Sequence, residues 1–161
     1  LPLREQRSPT GFCMSSAEFA RVTKPGGRVA VATWQGPELN PWGAVPGRVV
    51  SRTLGLPPPP PDAPGIFRCA KPGLVRGILG DAGLKDIVER ELTGTVVYEG
   101  PGHFWAFLND VVAPVSSALA GADAAAREAA RAGVAAELAG FAQGAERLVL
   151  PWAARVTAGT R

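Results

Sequence analysis

The sequence predicts an α/β fold of the doubly wound kind, and three observations carry the prediction. A short amphipathic segment ending in Lys24-Pro25-Gly26-Gly27 runs into the apolar stretch Val29-Ala30-Val31-Ala32, which reads as helix, tight turn and buried strand. The helically spaced stripe Leu74, Val75, Ile78, Leu79 and Ala82 is followed by β-branched runs at 87–92 and 95–98. A second helical tract then leads to strand-forming residues at 148–157.

Each element has a local cause. Ser15 and Glu18 have the spacing of a capping box, with hydroxyl and carboxylate each satisfying a free amide of a first helical turn. Phe19 and Val22 then share one face of that helix. Proline and two glycines stop it, since proline cannot continue a helix and glycine accepts positive φ. Val29 to Ala32 is apolar without alternation, the pattern of a strand covered on both faces in a parallel sheet.

Gln35 to Pro41 reads as loop, and Pro41 to Gly55 as a helix weakened by Pro46 and Gly47. Pro57 to Pro61 is a stiff extended connector, or alternatively a ligand for a proline-binding domain. Pro72 suits the first turn of the next helix and Gly83 its C-terminal cap. Ile87 to Leu92 and Thr95 to Tyr98 read as strand. Pro101 opens a helix lined by Phe104, Leu108, Val111 and Val112, and Asp123 to Phe141 forms an alanine-rich helix with Val134, Leu138 and Phe141 on its stripe. Leu148 to Thr157 closes the chain as a strand that Pro151 assigns to an edge or a bulge.

Composition narrows the class. A chain of 161 residues, 46% hydrophobic and 19% charged, carries enough apolar mass for a packed core. The net charge is +3, and the arginines are scattered with no run of like charge, so neither a nucleic-acid nor a membrane-surface partner is expected. Cys13 and Cys69 lack metal-ligand spacing and read as free thiols of a reducing compartment, so the expectation is a cytoplasmic protein with no metal.

The stretch Glu18-Phe-Ala-Arg-Val-Thr-Lys-Pro-Gly-Gly-Arg-Val-Ala-Val-Ala-Thr-Trp34 resembles the class I S-adenosylmethionine-dependent methyltransferases, in particular the small-molecule branch related to quinone biosynthesis. Further matches are Asn40-Pro41-Trp42, Leu54-Gly55-Leu56, Asp62-Ala63-Pro64-Gly65 with Phe67, Gly80-Asp-Ala-Gly-Leu84 with Ile87-Val88-Glu89, Glu99 to Leu108, and Leu150 to Arg161. The resemblance implies an incomplete Rossmann-like sheet, strands five to seven with covering helices. Residues 1–161 would then be the C-terminal part of one methyltransferase domain, with 99–145 a helical insertion covering the acceptor side.

Two departures from the family pattern shape the functional expectation. The chain has no D-x-G-x-G-x-G segment, the loop whose bare backbone admits the cofactor; Gly100-Pro101-Gly102 lacks the third glycine. By resemblance Leu1, Pro2 and Leu3 adjoin the adenine site, and the residues that hold S-adenosylmethionine precede them. Only Arg4 to Ser16 separate that point from the Glu18 motif, which implies a missing or damaged fourth strand and an unpaired sheet edge open to self-association.

The expected activity is methyl transfer to a small organic acceptor in a full-length parent, this chain being inactive alone. The alternative is a non-catalytic binding or dimerisation remnant. Trp34, at the carboxyl end of its strand, is the leading candidate for the acceptor pocket, with Asn40 and Trp42 in the following loop and Phe67 and Trp105 closing an apolar cavity. His103, the only histidine, is the sole imidazole candidate for a general base, and an exposed first-turn position is its alternative. Glu18 and Arg21 read as a cap and an intrahelical pair.

Overall fold

A computed structural model describes residues 11–57, 64–144 and 146–161. Leu1, Pro2, Leu3 and all but the first proline of the run Pro57 to Pro61 lie outside the described residues. The elements are α1 (Gly11–Val22), β1 (Arg28–Trp34), α2 (Pro41–Thr53), α3 (Leu74–Asp81), β2 (Lys85–Tyr98), α4 (Gly100–Val111), α5 (Ala113–Ala120), α6 (Ala124–Glu137) and β3 (Leu148–Thr160). Short 3-10 turns occupy Pro37–Leu39 and Ala139–Phe141. The fold is α/β.

The sheet has the order β1-β3-β2. β3 runs antiparallel to β1, with Arg28 opposite Thr160, Val31 opposite Thr157 and Trp34 opposite Ala154. Toward β2, contacts descend by twos along β3 as they climb by twos along β2: Gly159 beside Ile87, Thr157 with Glu89, Arg155 with Glu91. β3 is therefore antiparallel to both neighbours, and the expectation of a parallel sheet is corrected. Direct parallel neighbours need a crossover between them; here the last strand returns between the first two.

The described residues within Leu1–Gln35, Asp62–Leu92 and Ala154–Arg161 form one compact unit, and those within Gly36–Pro61 and Thr93–Ala153 a second. In the first unit, Ala20, Val75, Leu79 and Leu84 make the core, with Val29, Val31, Cys69, Ala82 and Ile87 packed against it. α1 begins at Gly11, so Ser15 sits inside the helix and the capping box is corrected. Its buried face is Ser16 and Ala20, whereas Phe19 and Val22 are 41% and 60% exposed. Small side chains at i and i+4 let α1 approach α3 closely, and Phe19 and Val22 face outward.

β1 is half-buried, with Val29 and Val31 on the core face and Ala30 and Ala32 exposed. Its unbroken apolar run reflects alanines on an uncovered face, which corrects the expectation of two covered faces. The turn before it is tied to the end of β3: Gly26 N–H donates to Arg161 O at 2.8 Å, and Arg161 N–H donates to Gly27 O at 2.9 Å. Gly26 needs its freedom there, at φ 77°.

The second unit is mostly helical. Val45, Val49 and Val50 of α2, Phe104 and Leu108 of α4, Val115 and Leu119 of α5, Ala130 and Val134 of α6, and Leu148 and Leu150 of β3 form its core. α2 runs through buried Pro46, which deletes one helical hydrogen bond, because its valines are held in this core. α4 ends before Val112, and Val111 is 63% exposed, so the predicted four-residue stripe contracts to Phe104 and Leu108 with Val112 at its margin. Asp123 caps α6 by accepting from Ala126 N–H at 2.7 Å.

Two sequence expectations about strands change for identifiable reasons. β2 is continuous through Thr93 and Gly94, because the Trp152 ring lies across Gly94: a Cβ there would come within 2.5 Å of the indole. β3 is the middle strand, yet Pro151 falls outside the stretch 154–160 that pairs with β1. Its missing N–H is thus spared a second ladder.

Gly94→Ala is expected to destabilise the protein by about 1–3 kcal/mol in urea unfolding, since the rigid indole must move. Glu137 joins α6 to α2 by accepting from Arg48 at 2.5 Å and Arg52 at 2.8 Å. The two guanidinium hydrogen bonds hold its carboxyl below the usual glutamate range. A lowered folded value means that the contribution is complete at neutral pH and lost as pH falls through that value. Glu137→Gln should therefore cost about 0.5–1 kcal/mol at neutral pH and remove part of the acid-side loss of stability below about pH 4.5, followed by urea midpoints across pH.

Candidate functional site

Beyond Trp34, the last residue of β1, lies Gln35, which is buried in the first unit. Its Nε2 donates to Ala154 O at 3.3 Å and its Oε1 accepts from Arg155 Nη2 at 3.3 Å. Arg155 is itself buried; it also donates to Glu91 Oε1 at 2.8 Å and to Ala70 O at 3.0 Å. Beside it Thr157 Oγ1 donates to Glu89 Oε1 at 3.2 Å. A buried guanidinium is tolerable only when its donors are matched, and here a carboxylate, an amide and a carbonyl share them. Residue-by-residue reading missed this cluster. Its sequence signal is the alternation Glu89, Glu91 against Arg155, Thr157, visible only once the two strands are paired.

In the second unit Asn40 is completely buried, and all four of its hydrogen-bonding sites are in use. Nδ2 donates to Ala153 O at 3.0 Å and to Gly36 O at 3.1 Å. Oδ1 accepts from Ala153 N–H at 3.0 Å and from Trp42 Nε1 at 3.1 Å. The carboxamide thus meets both backbone groups of one residue, as a neighbouring strand would. The structure brings Asn40 and Trp42 together in this latch, and Asn40 has no donor or acceptor left for a ligand.

The other candidates stand separately. Phe67 lies partly buried in a turn of the first unit. Trp105 on α4 packs against the second core beside Trp42's cluster and lines a cavity of about 10 Å³ with Phe104, Val134 and Leu138. That volume suits a water molecule and no organic acceptor. His103 sits in the first turn of α4, half-exposed, with Nδ1 accepting from Glu99 N–H at 3.2 Å and its ring edge-on to Tyr98 at 6.0 Å. An imidazole so placed caps a helix start. Burial pushes the Tyr98 phenol up from its ordinary range. Glu18 and Arg21 form the expected exposed pair, at 2.5 Å.

A cofactor with a carboxylate and ribose hydroxyls needs a cradle of converging N–H groups at a strand-to-helix turn. Of the described turns of that kind, the one into α4 reads Glu99-Gly100-Pro101: proline has no N–H, and the Glu99 N–H is taken by His103. The one into α2 passes through Asn40, whose side chain is spent on Ala153, Gly36 and Trp42. The described residues do not fit S-adenosylmethionine, and among them no group of three His, Cys, Asp or Glu is placed to hold a metal. No described helix is long and apolar enough to cross a membrane.

No protein-family model matches the chain, and no curated protein matches it.

Asn40→Ala leaves a buried N–H and a buried C=O of Ala153 unmatched. The expected cost is about 2–4 kcal/mol in thermal or urea unfolding. A loss below about 1 kcal/mol would show that the backbone groups of Ala153 do not depend on Asn40.

Proposed function

We propose that the chain is the C-terminal, acceptor-side part of a class I S-adenosylmethionine-dependent methyltransferase domain acting on a small organic molecule in the cytoplasm. The Glu18 to Trp34 motif carries this reading. Consecutive strands usually lie side by side, so a last strand inserted in reverse between the first two is a restrictive arrangement. The Glu18 to Trp34 motif, which carries the resemblance, spans α1, the turn and β1, a helix, turn and strand in the expected sequence. Methyl transfer from a sulfonium is an in-line displacement that needs position and exclusion of water more than a covalent group of the protein. In this reading Trp34 and Phe67 supply apolar surface toward the acceptor. Asn40 and Trp42 hold the loop after β1.

Isothermal titration of S-adenosylmethionine into the chain as it stands should give no saturable binding. Joined behind the cofactor-binding half of a methyltransferase of the same branch, the chain should support binding and radiolabelled methyl transfer. Micromolar affinity of the chain alone would overturn the assignment of the cofactor site to other residues. A folded chimera that binds no cofactor would overturn the family reading.

A second reading, a binding or self-associating module without catalysis, is favoured by the outer edge of β1. Among the described residues no strand pairs with it, and exposed Phe19 and Val22 flank it.

A further inference from the structure

The ion pair of Arg155 and Glu91 is asymmetric: the arginine side chain is 8% exposed and the glutamate side chain 63%. Neutral acceptors fix the guanidinium from within, Ala70 O on Nη1 and Gln35 Oε1 on Nη2. Its one carboxylate partner among the described residues is Glu91 Oε1, which is also on Nη2. These bonds occupy three of the five guanidinium N–H groups. Nε–H finds no acceptor among the described residues. No buried polar side-chain atom among those residues is without a partner, so Nε lies where solvent reaches it. Nε–H and the adjacent Nη2–H form one edge of the planar fork, an edge that a carboxylate can grip with two parallel bonds. Glu91 uses Nη2 alone.

We propose that Arg155 is a binding site for the carboxylate of a small organic acid, with the Glu91 side chain as its displaceable occupant. The incoming carboxylate spans Nε–H and Nη2–H while Glu91 turns into water, a small change for a side chain already mostly exposed. One negative group replaces another, so the buried guanidinium is never left uncompensated. Gln35 and Ala70 keep the fork in place during the exchange. Glu89, two residues along β2, accepts from Thr157, and its negative charge favours a monoanion over a dianion such as phosphate. The site lies within the first unit and uses no residue of the Glu18 to Trp34 motif. It goes beyond the methyltransferase reading and can fail without it.

Acetate titrated into the full chain at constant ionic strength should move the nitrogen–proton resonance of Arg155 Nε saturably, whereas inorganic phosphate at pH 8 should not. With the fork covered about nine-tenths of the time by Glu91, Glu91→Ala should tighten the acetate affinity about tenfold. Absence of a saturable shift in the native chain would overturn the proposal and leave the ion pair purely structural. Saturable binding that Glu91→Ala does not tighten would overturn it as well, since acetate would then sit somewhere other than in the place of Glu91. An equal response to phosphate would overturn the preference for a carboxylate. If Glu91→Ala does not fold, the titrations of the native chain decide alone.

Discussion

The backbone of β3 must find partners on both of its sides, and much of the structure follows from how it does so. Thirteen residues of strand present N–H and C=O groups in both directions, and each group left dry and unmatched costs a large share of a hydrogen bond. β2 lies along one side; β1 covers the stretch from Ala154 to Thr160. At Ala153 a single carboxamide, that of Asn40, takes both backbone groups. This demand explains why a polar residue is fully buried after β1, and why a proline is accepted at position 151.

Polar saturation separates what these residues hold together from what they present. Arg155, Gln35, Glu91, Glu89 and Thr157 spend hydrogen-bonding capacity on one another. Asn40 does the same with Ala153, Gly36 and Trp42, and His103 caps α4. Such groups order the chain around them. Several large apolar side chains are exposed, among them Phe19 and Val22 beside β1 and Val88 and Leu92 on β2.

The candidate site was legible in part. Trp34 at the end of a strand and Asn40 just beyond it follow from turn signals and strand length, and the structure places them so, whereas Trp42, expected in the loop, is the second residue of α2. Their jobs were not legible, because a buried asparagine differs from a pocket asparagine only in what it faces. Arg155 was invisible as a buried group for the same reason: an arginine between alanine and valine on a terminal strand reads as exposed until its partners on β2 are known.

The sequence by itself determined where most helices and strands lie, through the stripe at 74–82, the Lys24 to Gly27 stop, the alanine-rich tract from Asp123 and the β-branched runs. These are local effects of sterics and capping, decided within a few residues. It did not determine that Phe19 and Val22 face outward while Ser16 and Ala20 face inward, that β2 runs unbroken across Gly94, or that the last strand is the middle one. Each of those depends on a partner distant in the chain: α3 against α1, Trp152 over Gly94, β1 and β2 on either side of β3. Register and direction between strands are settled by the simultaneous matching of many backbone groups, and that matching exists only once the chain has folded.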